Sequence, residues 1–196
     1  MKLFLSLLIF ILSLQSWTKA ADISDFEIAG ISVGDSLLDF YSEKEILEQK
    51  NDTGFLFSNK KYFTARFKSI DNSVYEQIQV QIKDNDPKYI IYSLEGINFF
   101  ENMNSCIEDN KKISNDIKKL FPNSKKKIIE DKHSGDQSGK SFVYISKFDL
   151  KNGAAALVSC YDWSDEITTN KGWLDNLKVI IDSKEFNYWL NNESDN

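Results

Sequence analysis

Apolar and polar residues alternate most clearly between residues 62 and 95. Every second residue is apolar over 63–67 and again over 78–82. A period of two with one polar side predicts antiparallel strands that bury one face and leave the other in solvent. Together with the apolar run at 89–94, this pattern predicts a meander of three strands.

The second half of the chain repeats the strand pattern. Residues 142–150 and 154–163 predict two strands, and Asn152-Gly153 between them is a strong signal for a tight hairpin turn. Residues 177–181 predict one further strand. Strands that follow one another in this way are typical of antiparallel sheets.

Three helical segments complete the predicted fold. Residues 36–50 predict one bent or two short helices, because Ser36 begins the segment and Ser42 with Glu45 forms a capping box. A longer helix is predicted over 102–121, and a short one after Ser183. The residues expected on their buried sides are Cys106, Ile113, Ile117 and Leu120 in the longer helix, and Phe186, Trp189 and Leu190 in the last. The prediction is an α+β fold, an antiparallel sheet of meanders and hairpins with a few helices packed on one face.

The first residues have the layout of a cleavable secretory signal peptide. Lys2 precedes about a dozen apolar residues, and the small residues Thr18 and Ala20 follow. The apolar run is shorter than the roughly 20 residues that span a bilayer. We therefore predict a signal peptide over residues 1–20, and one α+β domain over 21–196 without a membrane-spanning segment.

The charge of the chain argues against nucleic acid as a partner. The full sequence carries 24 basic and 30 acidic side chains, and loss of residues 1–20 would remove Lys2 and Lys19 but no acid. The resulting negative surface repels phosphate backbones. Arg66 is the only arginine, which leaves little capacity for bidentate phosphate recognition.

Cys106 and Cys160 are the only cysteines. Because an exported protein folds in an oxidising compartment, we predict that they form one disulfide. Cys106 lies on the apolar stripe of the predicted helix, and Cys160 shares a strand face with Ala156 and Val158. Two buried free thiols that never meet are the alternative.

One four-residue motif suggests an enzyme. Gly34-Asp35-Ser36-Leu37 resembles the motif that names the GDSL-type serine hydrolases, a likeness that implies Ser36 as nucleophile. That family pairs the serine with an Asp-x-x-His box near the C-terminus, whereas the single histidine here, His133, lies mid-chain and follows Glu130. A helix cap explains Ser36 more simply.

Other candidate sites lack the required spacing. Residues 135–141 look like a phosphate-binding loop, but only three residues separate the glycines and a strand follows instead of a helix. Two cysteines and one histidine do not make a zinc motif. Asp162, Asp165 and Glu166 lack the spacing of a calcium loop and are interpreted as a solvated turn. No cofactor or metal is therefore predicted.

Aromatic residues are concentrated in the last quarter of the chain. They are Tyr161, Trp163, Trp173, Phe186, Tyr188 and Trp189. They could form a stacking platform for sugars or peptides. The alternative is that they fill the core, where large aromatic side chains contribute strongly to burial.

Two stretches together resemble a known group of proteins. These are Gly30–Leu38, and Cys160–Ser164 followed by the strand at Leu177 and the Phe186-x-x-Trp189-Leu190 helix. They resemble a family of small exported proteins from marine bacteria with AT-rich genomes. The resemblance extends over most of residues 21–196 and implies export, but no activity, ligand or catalytic residue.

We therefore expect a periplasmic or secreted protein that acts as a non-enzymatic binding or interaction module. The expected partner is a protein, a peptide or a glycan. The alternative is a small secreted hydrolase that uses Ser36, with His133 as its base.

Overall fold

The computed structural model describes Ile23 and residues 26–50, 60–69 and 74–194. The predicted signal peptide, residues 1–20, lies outside the described residues. The strands are β1 (Glu27–Ile28), β2 (Ile31–Ser32), β3 (Tyr62–Lys68), β4 (Gln77–Lys83), β5 (Ile91–Phe99), β6 (Lys125–Lys132), β7 (Phe142–Asp149), β8 (Ala155–Asp162) and β9 (Asn176–Asp182). The helices are α1 (Glu43–Gln49), α2 (Met103–Leu120), α3 (Asp165–Lys171) and α4 (Lys184–Asn192), with a 3-10 turn at Leu37–Asp39.

Seven of the strands form one antiparallel sheet in the order β3-β4-β5-β9-β8-β7-β6. A separate two-stranded sheet pairs β1 with β2. The predicted α+β class is therefore confirmed. β5 pairs with β9, so residues 100–175, which include α2 and three strands, are inserted between two neighbouring strands of the sheet.

The predicted helix caps are present. Ser36 caps the 3-10 turn, and Ser42 and Glu45 form the complete capping box of α1. The segment is thus two short helical pieces rather than one bent helix. Ser183 caps α4 as expected. A fourth cap, Ser164, begins α3, where the sequence had been interpreted as a solvated turn.

Helix α2 packs on one face of the sheet, over β7, β8 and β9, and carries the disulfide. Cys106 and Cys160 are buried with their sulfur atoms at bonding distance and their Cα atoms 6.0 Å apart. Next along the buried stripe, Asn110 donates from Nδ2 to the Val158 carbonyl at 2.7 Å. Its Oδ1 accepts hydrogen bonds from the Ser146 and Ser114 hydroxyls. These bonds satisfy the polar groups that the helix buries.

The expected apolar stripe of α2 is only partly correct. Cys106 and Ile117 are buried and Ile113 packs at the edge of the core, but Leu120 is 48% exposed. The buried positions between Cys106 and Ile117 are Asn110 and Ser114. Because both side chains are polar, the spacing of apolar residues along the helix could not identify them as buried.

Two strands differ from the prediction. β5 continues to Phe99, five residues beyond the expected end at Leu94. β6 was not predicted at all, because it lies at the sheet edge with all eight residues exposed and has no apolar alternation.

A glycine in β5 makes room for an aromatic ring. Gly96 lies in β5 on the face covered by α2, and a Cβ at this position would come within 2.7 Å of the Tyr75 ring. Tyr75 therefore packs directly on the backbone of β5. Any larger side chain at Gly96 would displace this ring.

Helix α4 contacts the sheet from the other side. Tyr62 alternates with the core residue Phe63, so its ring projects from the face turned away from α2. It packs edge-on against Phe186, with ring centroids 5.1 Å apart, and against Trp189 at 4.7 Å. Leu190, expected on the same buried side, is 39% exposed.

Candidate functional site

Polar side chains line much of the sheet face turned away from α2, and we call this set of residues the polar face. Its members alternate with core residues such as Val80, Leu94 and Val179. Most of them are buried. The polar face comprises Thr64, Arg66, Gln79, Gln81, Ser93, Glu95, Ser159, Tyr161, Asn176, Lys178 and Asp182.

Hydrogen bonds connect neighbouring strands across the polar face. The Thr64 hydroxyl donates to Gln81 Oε1 at 2.7 Å. Two residues further along β3, Arg66 donates to Gln79 Oε1 from Nε at 3.0 Å and from Nη2 at 2.6 Å. Such bonds hold long polar side chains in fixed positions on a sheet surface.

A nearly buried ion pair occupies the centre of the polar face. Lys178 Nζ lies 2.8 Å from Glu95 Oε2, and the two side chains are only 18% and 10% exposed. Burial disfavours the ammonium, but the Glu95 carboxylate and Tyr161 outweigh it and raise the pKa of Lys178. This pair places compensated charge where an ordinary sheet would bury apolar groups.

Asp182 is a second buried carboxyl group on this face. Burial, reinforced by the nearby Glu95 charge, raises the pKa of Asp182 to about 7, against the opposing influence of Ser93 and Lys147. The Ser93 hydroxyl lies 2.6 Å from Asp182 Oδ1. Asp182 therefore changes its charge near neutral pH while Glu95 is held in an ion pair.

Two buried polar atoms next to the ion pair are unsatisfied. Ser159 lies opposite Lys178, and Asn176 lies opposite Tyr161 in the strand register. Ser159 Oγ and Asn176 Oδ1 have no hydrogen-bond partner within the described part of the chain. Unsatisfied buried polar atoms are uncommon in folded proteins.

Four aromatic rings form a cluster at one end of the polar face. We call His133, Tyr161, Trp163 and Trp173 the aromatic cluster; all four are partly exposed. The Tyr161 and Trp163 rings are nearly parallel, at 13°, with centroids 5.8 Å apart. His133 and Trp173 pack against Trp163 at 4.4 and 4.7 Å.

Two ammonium groups flank the aromatic cluster. Lys171 Nζ lies 4.5 Å from the centre of the Trp173 ring, and Lys178 Nζ lies 5.5 Å from that of Tyr161. Both distances are within the range of cation–π contacts. Lys178 thus belongs both to the ion pair with Glu95 and to the rim of the aromatic cluster.

The loop between β6 and β7 holds His133 in this cluster. Asp136 is buried in the loop and accepts hydrogen bonds from the backbone and hydroxyl of Ser141 and from the Ser164 hydroxyl. These bonds, with those from Ser138, hold the pKa of Asp136 well below its usual range. The glycine spacing had already argued against a phosphate-binding loop here, and the Asp136 carboxylate occupies the centre of the loop.

His133 is kept neutral by its surroundings. Burial and the positive charges of Lys178 and Lys171 lower its pKa. Its Nδ1 accepts a hydrogen bond from the Gly135 backbone at 3.0 Å. His133 is therefore part of the aromatic surface at neutral pH.

Ser36 and His133, the two residues of the hydrolase alternative, have separate surroundings. The Ser36 hydroxyl donates to the Lys88 carbonyl at 2.7 Å and accepts from the Leu38 backbone at 3.3 Å. His133 contacts Tyr161 and Trp163 instead. Within the described ranges no hydrogen bond or ring contact joins the two.

The aromatic residues of the last quarter fall into both expected classes. Phe186 and Trp189 are buried with Tyr62 in the core, whereas Tyr161, Trp163 and Trp173 form the partly exposed cluster. Tyr188, at 61% exposure, belongs to neither group. Spacing along the chain could have related Tyr161 to Trp163, but not either of them to His133.

The described residues contain no group of three or more His, Cys, Asp or Glu side chains arranged to hold a metal ion. Of the suspected calcium ligands, Asp165 and Glu166 occupy the first turn of α3, where acidic side chains favour the helix dipole. No helix among the described residues is long and apolar enough to cross a membrane.

The fold is an antiparallel α+β domain with a polar sheet face and an aromatic cluster at its end. Comparison of the chain with family models, curated proteins and solved structures finds no match.

Proposed function

We propose that this protein is an exported, non-enzymatic binding protein and that its ligand is a neutral glycan held on the aromatic cluster. The observation that carries the proposal is the position of the cluster. Partly exposed rings stand beside the Lys171 ammonium and the Glu95–Lys178 pair. A ligand that packs on rings and also exchanges hydrogen bonds suits this combination.

A sugar ring has both properties. Its C–H face is apolar enough to pack on Tyr161 and Trp163, and its hydroxyl groups both donate and accept hydrogen bonds. The Lys171 ammonium beside the Trp173 ring offers a donor to these hydroxyl groups. Displacing water from partly exposed rings adds to the affinity.

The charge of the protein favours a neutral glycan over an acidic one. The full chain has a formal net charge of −6 at pH 7. A polyanion would be repelled over the whole approach to the surface. At the rim, the Lys178 charge is already compensated by Glu95.

The test is a titration of the purified protein with a panel of neutral oligosaccharides, followed by tryptophan fluorescence and by calorimetry. We expect one or more members to bind and to change the emission of Trp163 and Trp173. Trp163→Ala should weaken binding about tenfold or more, because a central aromatic contact carries a large share of the binding free energy.

Tyr188→Ala is the matched control, since Tyr188 is an exposed aromatic residue on α4 outside the cluster. It should leave the affinity unchanged, and circular dichroism should show that both variants are folded. Trp173→Phe, which keeps a ring, should bind more tightly than Trp173→Ala. The glycan proposal fails if no oligosaccharide binds, and the assigned site is wrong if Trp163→Ala binds as well as the parent.

Export is supported by the apolar segment that follows Lys2, and by a cysteine pair at disulfide distance in the folded domain. Cleavage after Ala20 should give a chain that begins Ala21-Asp22. N-terminal sequencing of the protein from the periplasm or medium tests this. Protein there that still begins at Met1 would contradict the assignment.

A further inference from the structure

Strand β6 forms an exposed edge of the seven-stranded sheet. It pairs with β7 on one side, and all eight residues from Lys125 to Lys132 are exposed. At the opposite edge, β3 is mostly buried, and Lys50 makes a bridge to Ala65 there. A long exposed edge strand offers free backbone groups to another strand.

The register shows which backbone groups of β6 point outward. The His133 N–H donates to the Ser141 carbonyl at 2.9 Å, one step beyond the Lys132–Phe142 pair. Bonded and non-bonded pairs alternate in an antiparallel ladder, so the odd-numbered residues of β6 bond to β7. The N–H and C=O groups of Lys126, Ile128 and Glu130 therefore face away from the sheet.

The sequence of β6 is complementary to itself in the antiparallel direction. It reads Lys-Lys-Lys-Ile-Ile-Glu-Asp-Lys, with basic residues before the two isoleucines and acidic residues after them. When two copies pair about a twofold axis at Ile128, Lys126 faces Glu130 and Lys125 faces Asp131. Ile128 then lies opposite Ile128 of the second copy.

Other registers lose this match. Residues that lie directly opposite each other in an antiparallel pair have their side chains on the same face of the sheet, and side chains alternate between the two faces along each strand. Two identical strands related by a twofold axis can therefore pair only when one residue lies opposite its own copy, at the axis. An axis at Ile129 sets Lys126 against Lys132. An axis at Lys127 sets this lysine against itself, and like charges directly opposite each other are destabilising.

Two apolar side chains of β6 are exposed, as expected for an edge strand that a partner strand covers. Ile128 is 61% exposed and Ile129 38% exposed in the isolated chain. Lysines on an edge strand normally prevent pairing with foreign strands. Here the same strand provides acids opposite two of its four lysines, so it discourages other partners while it matches its own copy.

We propose that this protein forms a homodimer by antiparallel pairing of β6 with β6 of a second copy, centred on Ile128. The two sheets join into one continuous sheet. Each copy contributes the Lys126–Glu130 and Lys125–Asp131 contacts, and backbone hydrogen bonds form at Lys126, Ile128 and Glu130.

Sedimentation velocity of the purified protein with its disulfide intact tests the dimer. The parent should sediment as a dimer that dissociates on dilution. Lys126→Glu places two carboxylates opposite each other on both sides of the axis, and should raise the dimer Kd about tenfold or more. The charge swap Lys126→Glu/Glu130→Lys restores opposite charges and should restore the dimer.

Lys111→Glu is the matched control, because it makes the same change in net charge on the exposed side of α2. It should dimerise like the parent. Ile128→Lys is a second disruptive variant, which puts two ammonium groups opposite each other at the axis without touching the core. The proposal is overturned if the parent is monomeric, if both disruptive variants dimerise like the parent, or if the charge swap stays monomeric while folded. None of these outcomes depends on glycan binding.

Discussion

Lys178 and Glu95 form an ion pair between neighbouring strands, with Nζ and Oε2 2.8 Å apart and both side chains nearly buried. The pair lies on the sheet face that α2 leaves uncovered. It is the centre of the polar face and adjoins Tyr161 of the aromatic cluster. Its energetics therefore bear both on stability and on the proposed binding site.

Removal of one partner should be costly. Lys178→Met leaves the Glu95 carboxylate buried without compensation, and we expect a loss of about 3 kcal/mol in the free energy of unfolding. The double variant Lys178→Met/Glu95→Leu should lose less, because no charge is then left unpaired. Urea denaturation measures both. Lys112→Met, which breaks the exposed pair with Asp109, is the control and should cost about 0–1 kcal/mol. Equal losses in all three variants would contradict this account.

Asp182 predicts a pH dependence of stability. Its folded pKa of about 7 lies above the unfolded value, so the folded protein binds more protons than the unfolded chain between these values. The stabilisation is complete below the unfolded pKa and is lost as the pH rises from that value through 7, on the order of 4 kcal/mol in total. Asp182→Asn should remove this decline, as measured by urea midpoints at acidic and alkaline pH. Glu108→Gln on the exposed side of α2 should leave it unchanged; a decline that persists in Asp182→Asn would assign it to another group.

The disulfide should contribute a large share of the stability. Cys106 and Cys160 are separated by 54 positions, and on the chain-entropy model a closed loop of this size is worth roughly 4 kcal/mol. Cys106→Ala/Cys160→Ala should lower the free energy of unfolding by about that amount. Titration of thiols in the unfolded, unreduced protein should find none. Two reactive thiols would show that the cysteines are not bonded.

Ser36→Ala should act on stability rather than on catalysis. The substitution removes the cap of the 3-10 turn and the hydrogen bond to the Lys88 carbonyl, at a cost of about 0.5–2 kcal/mol. Ser36→Asn, which restores a capping acceptor, should recover part of the loss. Thermal melting and an assay with a generic ester measure the two properties. If Ser36→Ala abolished ester hydrolysis and left the melting curve unchanged, the capping role would be wrong and the hydrolase correct.

Much of the fold followed from short-range features of the sequence. The alternation over 63–67 and 78–82, the turn at Asn152-Gly153 and the caps at Ser36 and Ser42 each depend on a few neighbouring residues. The disulfide could also be predicted, because it required only two cysteines and an apolar position for each. β6 was missed because an edge strand that buries neither face has no hydrophobic period.

The candidate site was decided by the tertiary structure. Glu95 and Lys178 are 83 positions apart, and His133 reaches Trp163 only because β6, β7 and β8 are neighbours in the sheet. Periodicity determines which residues share a face of one strand, and so the sequence by itself determined the α+β class and most of the elements. The strand order, the gathering of polar side chains on one face and the choice between core and surface for each aromatic ring arise from long-range pairing. The pairing of strands that are distant in sequence depends on how the complete chain packs, and a local sequence pattern does not contain this information.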